Sequence, residues 1–490
     1  MGKISKDSSI TAAISFIGLI IGYVNKAILF PQFLLPEYVG LINLIISMSG
    51  LFAQLGNLGV LHSIPRFFPF MRQDRKRNFF LTNLSIIVFG FVLFVVLSFI
   101  FKDEIYDYYD NESALFTEYA PWVYLLGAAN LFFVFFENML KAVFQVVLPV
   151  LLQDFYLRIA VTITLVLYAT GLLTLDQFMI LHLSVYMTPF IVLMIKVLLN
   201  KDIIGSRGGS RVPSRMKRLM LKYSSLIYLN TIGISLILSI DLMMLAGMYG
   251  LKETGVYSTV LFISSALLIP YRSIYRAASN FVAMNWKNRD MKAMDELYKR
   301  VSSLNLICIV YLSLLVGWNI NEFFSFLPPE YASGKVVFFV LVVGRAIDAY
   351  CGINGYILVT SKKYYVDVYF TGALVLSALG LNYIFIPMYG GLGAAWATFC
   401  VLLLYNGARV AYLWRVFKLS PFEWSHLMIL VIGAVISAPL LVISFNMHPI
   451  LAVLIKSVFI SGVFLWAILA LKVEPEVNKF VSKLLLRLKG

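Results

Sequence analysis

The stretch "EYVGLINLIISMSGLFAQLGNLGVLHSIPRFFP" (Glu37–Pro69) opens on an acid, runs through small and apolar residues, and stops at an arginine flanked by prolines. As a helix its apolar part is long enough to cross the roughly 30 Å hydrocarbon core of a bilayer. A second stretch of the same design, "ETGVYSTVLFISSALLIPYRSIYRAASNFV" (Glu253–Val282), also begins with an acid and a glycine and ends in a basic patch. Superposing Gly40 on Gly255 sets an offset of 215 residues, at which Lys26 falls on Asp241. The chain therefore reads as a duplicated, membrane-spanning protein.

Composition agrees. Of 490 residues, 60% are hydrophobic and 13% charged, against about 25% charged in a soluble domain. Mean hydropathy is +0.86, and the polar segments are too short to enclose a core of their own. Fourteen apolar runs lie near 9–33, 39–65, 79–101, 119–140, 153–172, 176–199, 223–247, 255–280, 302–322, 335–359, 364–386, 391–414, 424–445 and 449–471. The first run lacks a small-residue cleavage site and reads as a retained helix, not a signal peptide. The expected fold class is an all-α polytopic membrane protein of about fourteen spans.

Lysine and arginine orient it. Segments on the amino-terminal side of the membrane carry 31 of the 40 basic residues and the opposite side three: Lys102, Lys252 and Lys335. Short cytoplasmic loops are enriched in such residues, so both termini are expected in the cytoplasm. The net charge of +15 is then a fringe facing anionic headgroups, not a nucleic-acid signal. The acidic segment "KDEIYDYYDNESALFTE" (Lys102–Glu118) falls on the far side, its aromatic residues expected at the interface. With six spans between copies, both halves run the same way through the membrane, as in parallel-repeat transporters. The expected organisation is an N-terminal six-helix bundle (1–200), a basic cytoplasmic linker (201–222), a C-terminal six-helix bundle (223–418), and two extra spans with a tail (419–490).

Three strings carry a resemblance: "LLPEYVGLINLIISMSGLFAQLGNLGVLHSIPRFFP" (Leu34–Pro69), "DLMMLAGMYGLKETGVYS" (Asp241–Ser258) and "NYIFIPMYGGLGAAWAT" (Asn382–Thr398). In their order and with the span count, the chain over about residues 8–420 resembles the polysaccharide-exporter family. That family holds O-antigen and capsule flippases within the superfamily of multidrug and lipid-linked oligosaccharide exporters. The resemblance implies two six-helix bundles around a central cavity, in the bacterial cytoplasmic membrane. It implies a substrate, an undecaprenyl-pyrophosphate-linked oligosaccharide, turned from the inner to the outer leaflet by alternating access. Membrane lipids and other polysaccharide-assembly proteins are the partners it implies. Span 2 departs from lipid II flippases in lacking a basic residue partway along it.

Charges inside spans are costly, about 2.5–3.5 kcal/mol on insertion scales, and usually face water or one another. Lys26, Asp241, Arg345, Asp348 and Lys456 lie deepest, and Arg272 follows the kink expected at Pro270. Arg345 and Asp348, three apart, share a helix face. Lys26, Arg272 and Arg345 are the candidate pyrophosphate-binding residues, since arginine grips phosphate oxygens in a fork. Asp241 and Asp348 are the candidates for charge balance or coupling. Lys456 lies outside the duplicated core; Glu137 with Lys141 has the spacing of a plain helix pair; Arg409 is within snorkelling reach of the cytoplasmic surface.

Cys308, Cys351 and Cys400 lie inside apolar runs, and His62, His182, His426 and His448 are scattered, so no metal site or cofactor is expected. Protons, sodium or the membrane potential are the candidate drivers. With no nucleophile–base pair or phosphate loop, an enzyme is not expected, and a glycan polymerase lacks its large outer loop. The main rival is a cation-coupled drug or metabolite antiporter of the same superfamily.

Overall fold

A computed structural model describes residues 2–205, 210, 212–438, 448–474 and 478. Among them the chain is helical throughout and forms two compact units, Met1–Thr259 and Val260–Gly490. Among the described residues twelve helices are long and apolar enough to cross a membrane, thirteen when a bent pair is taken as one span. The protein is a multi-pass membrane protein.

The first unit holds α1 (Lys6–Phe33), α2 (Pro36–Gly56), α3 (Gln73–Ile100), the polar α4 (Lys102–Tyr119), α5 (Pro121–Ala142), α6 (Val147–Ala169), α7 (Leu175–Leu198), α8 (Ser214–Tyr249) and the start of α9 (Leu251–Asn288). Pro36 and Pro121 open their helices, where the missing N–H costs nothing. At its centre α2 packs on α3, α5 and α8. It buries 61% of its most apolar window, whereas α3 buries 17% of its own and turns the rest toward lipid. The second predicted span is not one helix. It breaks after α2 at Asn57, whose Oδ1 accepts from the Gly59 N–H at 2.7 Å, and resumes as Val60–Phe67.

The close approach of α2 and α9 explains two glycines. A Cβ on Gly40 would strike the Leu251 carbonyl and lie 2.9 Å from the Gly255 nitrogen. A Cβ on Gly255 would strike the Pro36 carbonyl and lie 3.1 Å from the Gly40 nitrogen. Contacts that repeat with the partners exchanged are those of a local two-fold axis. Beside them Asn43 Nδ2 donates to Ser258 Oγ at 3.1 Å, again between residues 215 apart.

The acidic segment forms α4 and docks on α8. Tyr109 Oη donates to the Met243 carbonyl at 3.2 Å and Ser113 Oγ to that of Ala246 at 2.6 Å. Tyr109 is therefore buried against protein and not spread at the interface as expected, while Tyr108 occupies the place a side chain on Gly247 would need. The basic segment after α7 is anchored too. Ile203 and Val212 are buried among the apolar residues of the first unit.

The second unit continues with α10 (Met291–Trp318), α11 (Gly334–Cys351), α12 (Asn354–Thr360), α13 (Tyr365–Tyr389), α14 (Gly391–Phe417), α15 (Trp424–Ser437) and α16 (Pro449–Ala470). The tenth predicted span is α11 and α12, bent by 43°. Gly352 makes the bend with φ of +58° and ψ of −112°, a conformation closed to other residues. Only Trp424–Ser437 of the thirteenth predicted span is seen as helix; 439–447 lie outside the described residues. Both extra helices pack on α10. Lys456 donates to Glu322 Oε1 at 2.5 Å and to the Trp318 carbonyl at 3.1 Å, so it joins α16 to the end of α10.

Candidate functional site

In the first unit the polar groups inside the spans gather where α1, α2 and α6 meet. Lys26 Nζ donates to Asn43 Oδ1 at 3.2 Å. Asn25 Nδ2 donates to the Arg158 carbonyl at 3.0 Å and Asn25 Oδ1 accepts from Thr162 Oγ1 at 2.9 Å. Ser15 Oγ donates to Asp154 Oδ2 at 2.5 Å. Both strands of this contact leave the α-helical pattern: Asn25–Leu29 in α1 and Leu151–Tyr156 in α6 are π-helical. A π turn carries an extra residue per turn and recurs at functional sites. The sequence places Lys26 and Arg158 in spans or at their margins and singles out Lys26; the contacts of Asp154 and Arg158 with α1 show only in the structure.

Asp241, near the middle of α8, accepts from Tyr257 Oη at 3.0 Å, and Tyr257 is fully buried. The hydroxyl gives the carboxylate a buried hydrogen-bond donor. Glu137 and Lys141 pair at 2.9 Å along α5, the plain helix pair their spacing suggests.

In the second unit Arg272 is exposed on α9 and its carbonyl accepts from Arg276 Nε at 3.3 Å. Arg345, on α11, makes no ion pair among the described residues, and its buried Nε has no hydrogen-bond partner. Asp348 on the same helix turns to another neighbour: Oδ1 accepts from Asn406 Nδ2 at 3.2 Å, and Asn406 Oδ1 accepts from Asn354 Nδ2 at 3.0 Å. This chain of amides ties α11, α12 and α14 together at the bend.

Arg409 corrects a sequence expectation. It does not snorkel; it is 8% exposed, is ion-paired with Asp367 of α13, and stacks 4.0 Å over the Tyr405 ring. Asp367 precedes Arg409 by 42 positions, beyond the reach of spacing arguments. Among the described residues no group of three or more His, Cys, Asp or Glu is placed to hold a metal.

Neither a protein-family model nor a curated protein sequence matches the chain. Solved structures do. The lipid II flippase MurJ in its inward closed conformation superposes with a TM-score of 0.67 at 16% identity, over 93% of this chain and 98% of that one. An inward-facing multidrug resistance MATE family transporter of the MOP superfamily gives 0.63 at 12% identity, over 84% and 98%. A MOP superfamily transporter from Pyrococcus furiosus, described as having reversed binding-pocket polarity, gives 0.55 at 13% identity, over 84% and 94%. At these identities the likeness is one of architecture: the chain has the fold of the lipid II flippase and multidrug transporter structures.

Proposed function

We propose that the protein is a flippase for an anionic lipid-linked glycan, an undecaprenyl-pyrophosphate-linked oligosaccharide carried between leaflets of the bacterial cytoplasmic membrane by alternating access. The observation that carries this reading is the Arg345 guanidinium, whose Nε is buried in a membrane-spanning helix with no acceptor. A buried donor of that kind is costly until a ligand oxygen reaches it. Lys26 and Arg272 add further positive charge within the spans. The flippase match also extends along more of the chain than the drug-transporter matches, 93% against 84%.

Such a substrate needs help because sugar hydroxyls and a pyrophosphate lose their hydration in hydrocarbon. Direction can come from voltage: moving one negative charge out of a negative interior releases about 2.3 kcal/mol per 100 mV. Asp241 and Asp348 are the candidates for proton or sodium coupling. The rival reading, a cation-coupled antiporter, draws on the multidrug transporter match and on these two carboxylates.

The test is flipping in proteoliposomes. Undecaprenyl-pyrophosphate disaccharide in the inner leaflet should become accessible to a membrane-impermeant sugar oxidant. Arg345→Ala should slow this at least about tenfold, the weight of one charge-assisted hydrogen bond. Transport of a cationic dye with no movement of the glycan lipid would transfer the assignment to the antiporter.

A further inference from the structure

A cavity of about 190 Å³ lies in the first unit where α2, α5, α6 and α7 meet, and no charged side chain lines it. Its polar groups are Ser49, Asn130, Gln153 and Tyr186, all within spans. Two of them are amides that the fold leaves unused. Asparagines elsewhere in the spans satisfy themselves along their own helix: Asn43, Asn83, Asn138 and Asn406 each donate to the carbonyl four residues back. Asn130, midway along α5, makes no such bond. Both it and Gln153 are exposed, with no hydrogen-bond partner among the described residues. A polar side chain inside a span is costly unless water or a ligand meets it.

The backbone around the cavity is irregular as well. Gln153 sits in the π-helical turn Leu151–Tyr156 of α6, and α7 is interrupted at Tyr186 and Met187, between Val185 and Thr188. Pro189, which also lines the cavity, has no N–H to give the Val185 carbonyl, and Thr188 Oγ1 donates to that oxygen at 2.7 Å instead. Non-helical backbone at membrane depth is tolerated where it lines a cavity. The buried His182 ring backs that of Tyr186, with 5.7 Å between their centroids. On α2, Ser49 Oγ donates to the Ile46 carbonyl at 2.8 Å and keeps its lone pairs to accept a further bond.

We infer that this cavity is a sugar-binding pocket, which takes one neutral pyranose ring. Each carboxamide offers a carbonyl oxygen and two N–H donors, a set that matches adjacent sugar hydroxyls, each of which both donates and accepts. Phe133 and the Tyr186 ring supply apolar surface for the C–H face of the ring. With no cation in its lining the pocket does not suit a pyrophosphate. Its volume is also below the roughly 300–1,000 Å³ that drug-sized ligands occupy. The natural ligand, a sugar residue of the lipid-linked glycan, rests on the proposed function; the chemistry of the pocket rests on these residues alone.

Binding to the purified full-length protein tests it, with undecaprenyl-pyrophosphate disaccharide, undecaprenyl pyrophosphate and the free disaccharide as separate probes. The wild type should bind the disaccharide lipid more tightly than the bare carrier. Asn130→Leu and Gln153→Met should each reduce that preference roughly three- to tenfold, the weight of a lost hydrogen bond, and leave binding of the bare carrier unchanged. Both substitutions make a span more apolar and so favour insertion. Should Gln153→Met still misfold, Asn130→Leu decides the matter alone. No preference in the wild type, or an unchanged one in the variants, would overturn the pocket and leave the flippase reading standing. Equal losses for the two lipids would give the amides to the carrier and overturn the sugar assignment. Amide-dependent binding of the free disaccharide alone would keep the pocket and remove the lipid carrier. Failure of all three probes to bind the wild type would end both.

Discussion

Asp241 interrupts the run "SLILSIDLMMLAGMYG", and its tolerance comes from a partner sixteen residues ahead, the fully buried Tyr257. Removing that hydroxyl takes one buried hydrogen bond from the carboxylate. Tyr257→Phe should cost about 1–3 kcal/mol, read as a lower unfolding temperature in detergent, while Asp241→Asn, which keeps an acceptor, should cost less. Equal losses in the two variants would mean the bond does not hold Asp241. Arg409 teaches the converse. Its distance from the surface was legible in the sequence, whereas Asp367 on a neighbouring helix was not, so a buried ion pair looked like a snorkelling arginine. Charge inside a span can be read from one helix, but what neutralises it belongs to two.

At the scale of elements, hydrophobic length determined the spans well, because the bilayer requires about twenty apolar residues whatever their order. Breaks within spans were less legible. Nothing in "NKAIL" or "LLQDFY" distinguishes a π turn from an α turn, since the extra residue depends on how α1 and α6 meet. The bend between α11 and α12 has a local cause in Gly352. Gly352→Ala should strain the backbone by about 1–3 kcal/mol and disturb the Asn354–Asn406–Asp348 amides. A falling unfolding temperature checks the first effect. Coupling measured as sodium- or pH-dependence of transport checks the second, and unchanged values in both would free the bend of any role.

For the molecule as a whole, the expected duplication sets two glycines 215 apart, and the first unit has those same glycines against each other's backbone. The two-fold exchange of contacts is not written in either stretch alone; it arises where the two stretches pack. Asn43→Cys with Ser258→Cys should crosslink on oxidation, since the native side chains bond at 3.1 Å, and transport should stop until the disulfide is reduced. Free thiols after oxidation would count against the contact. Orientation has its own measurement. Cysteines at Lys252 should react with an impermeant maleimide from outside the cell, and those at Arg75 and Lys363 only from inside. The reverse pattern would invert the topology that the 31 and 3 basic residues predict.

The pairing of Lys456 with Glu322 bears on how the chain is made. Glu322 leaves the ribosome 134 residues ahead of the lysine that neutralises it, and a buried acid deprived of its cation is destabilised by about 3–5 kcal/mol. During synthesis the second unit must therefore keep this carboxylate without its lysine until α16 inserts. Arrival of that helix closes the pair, and nascent chains halted before it should be the ones that membrane quality control removes.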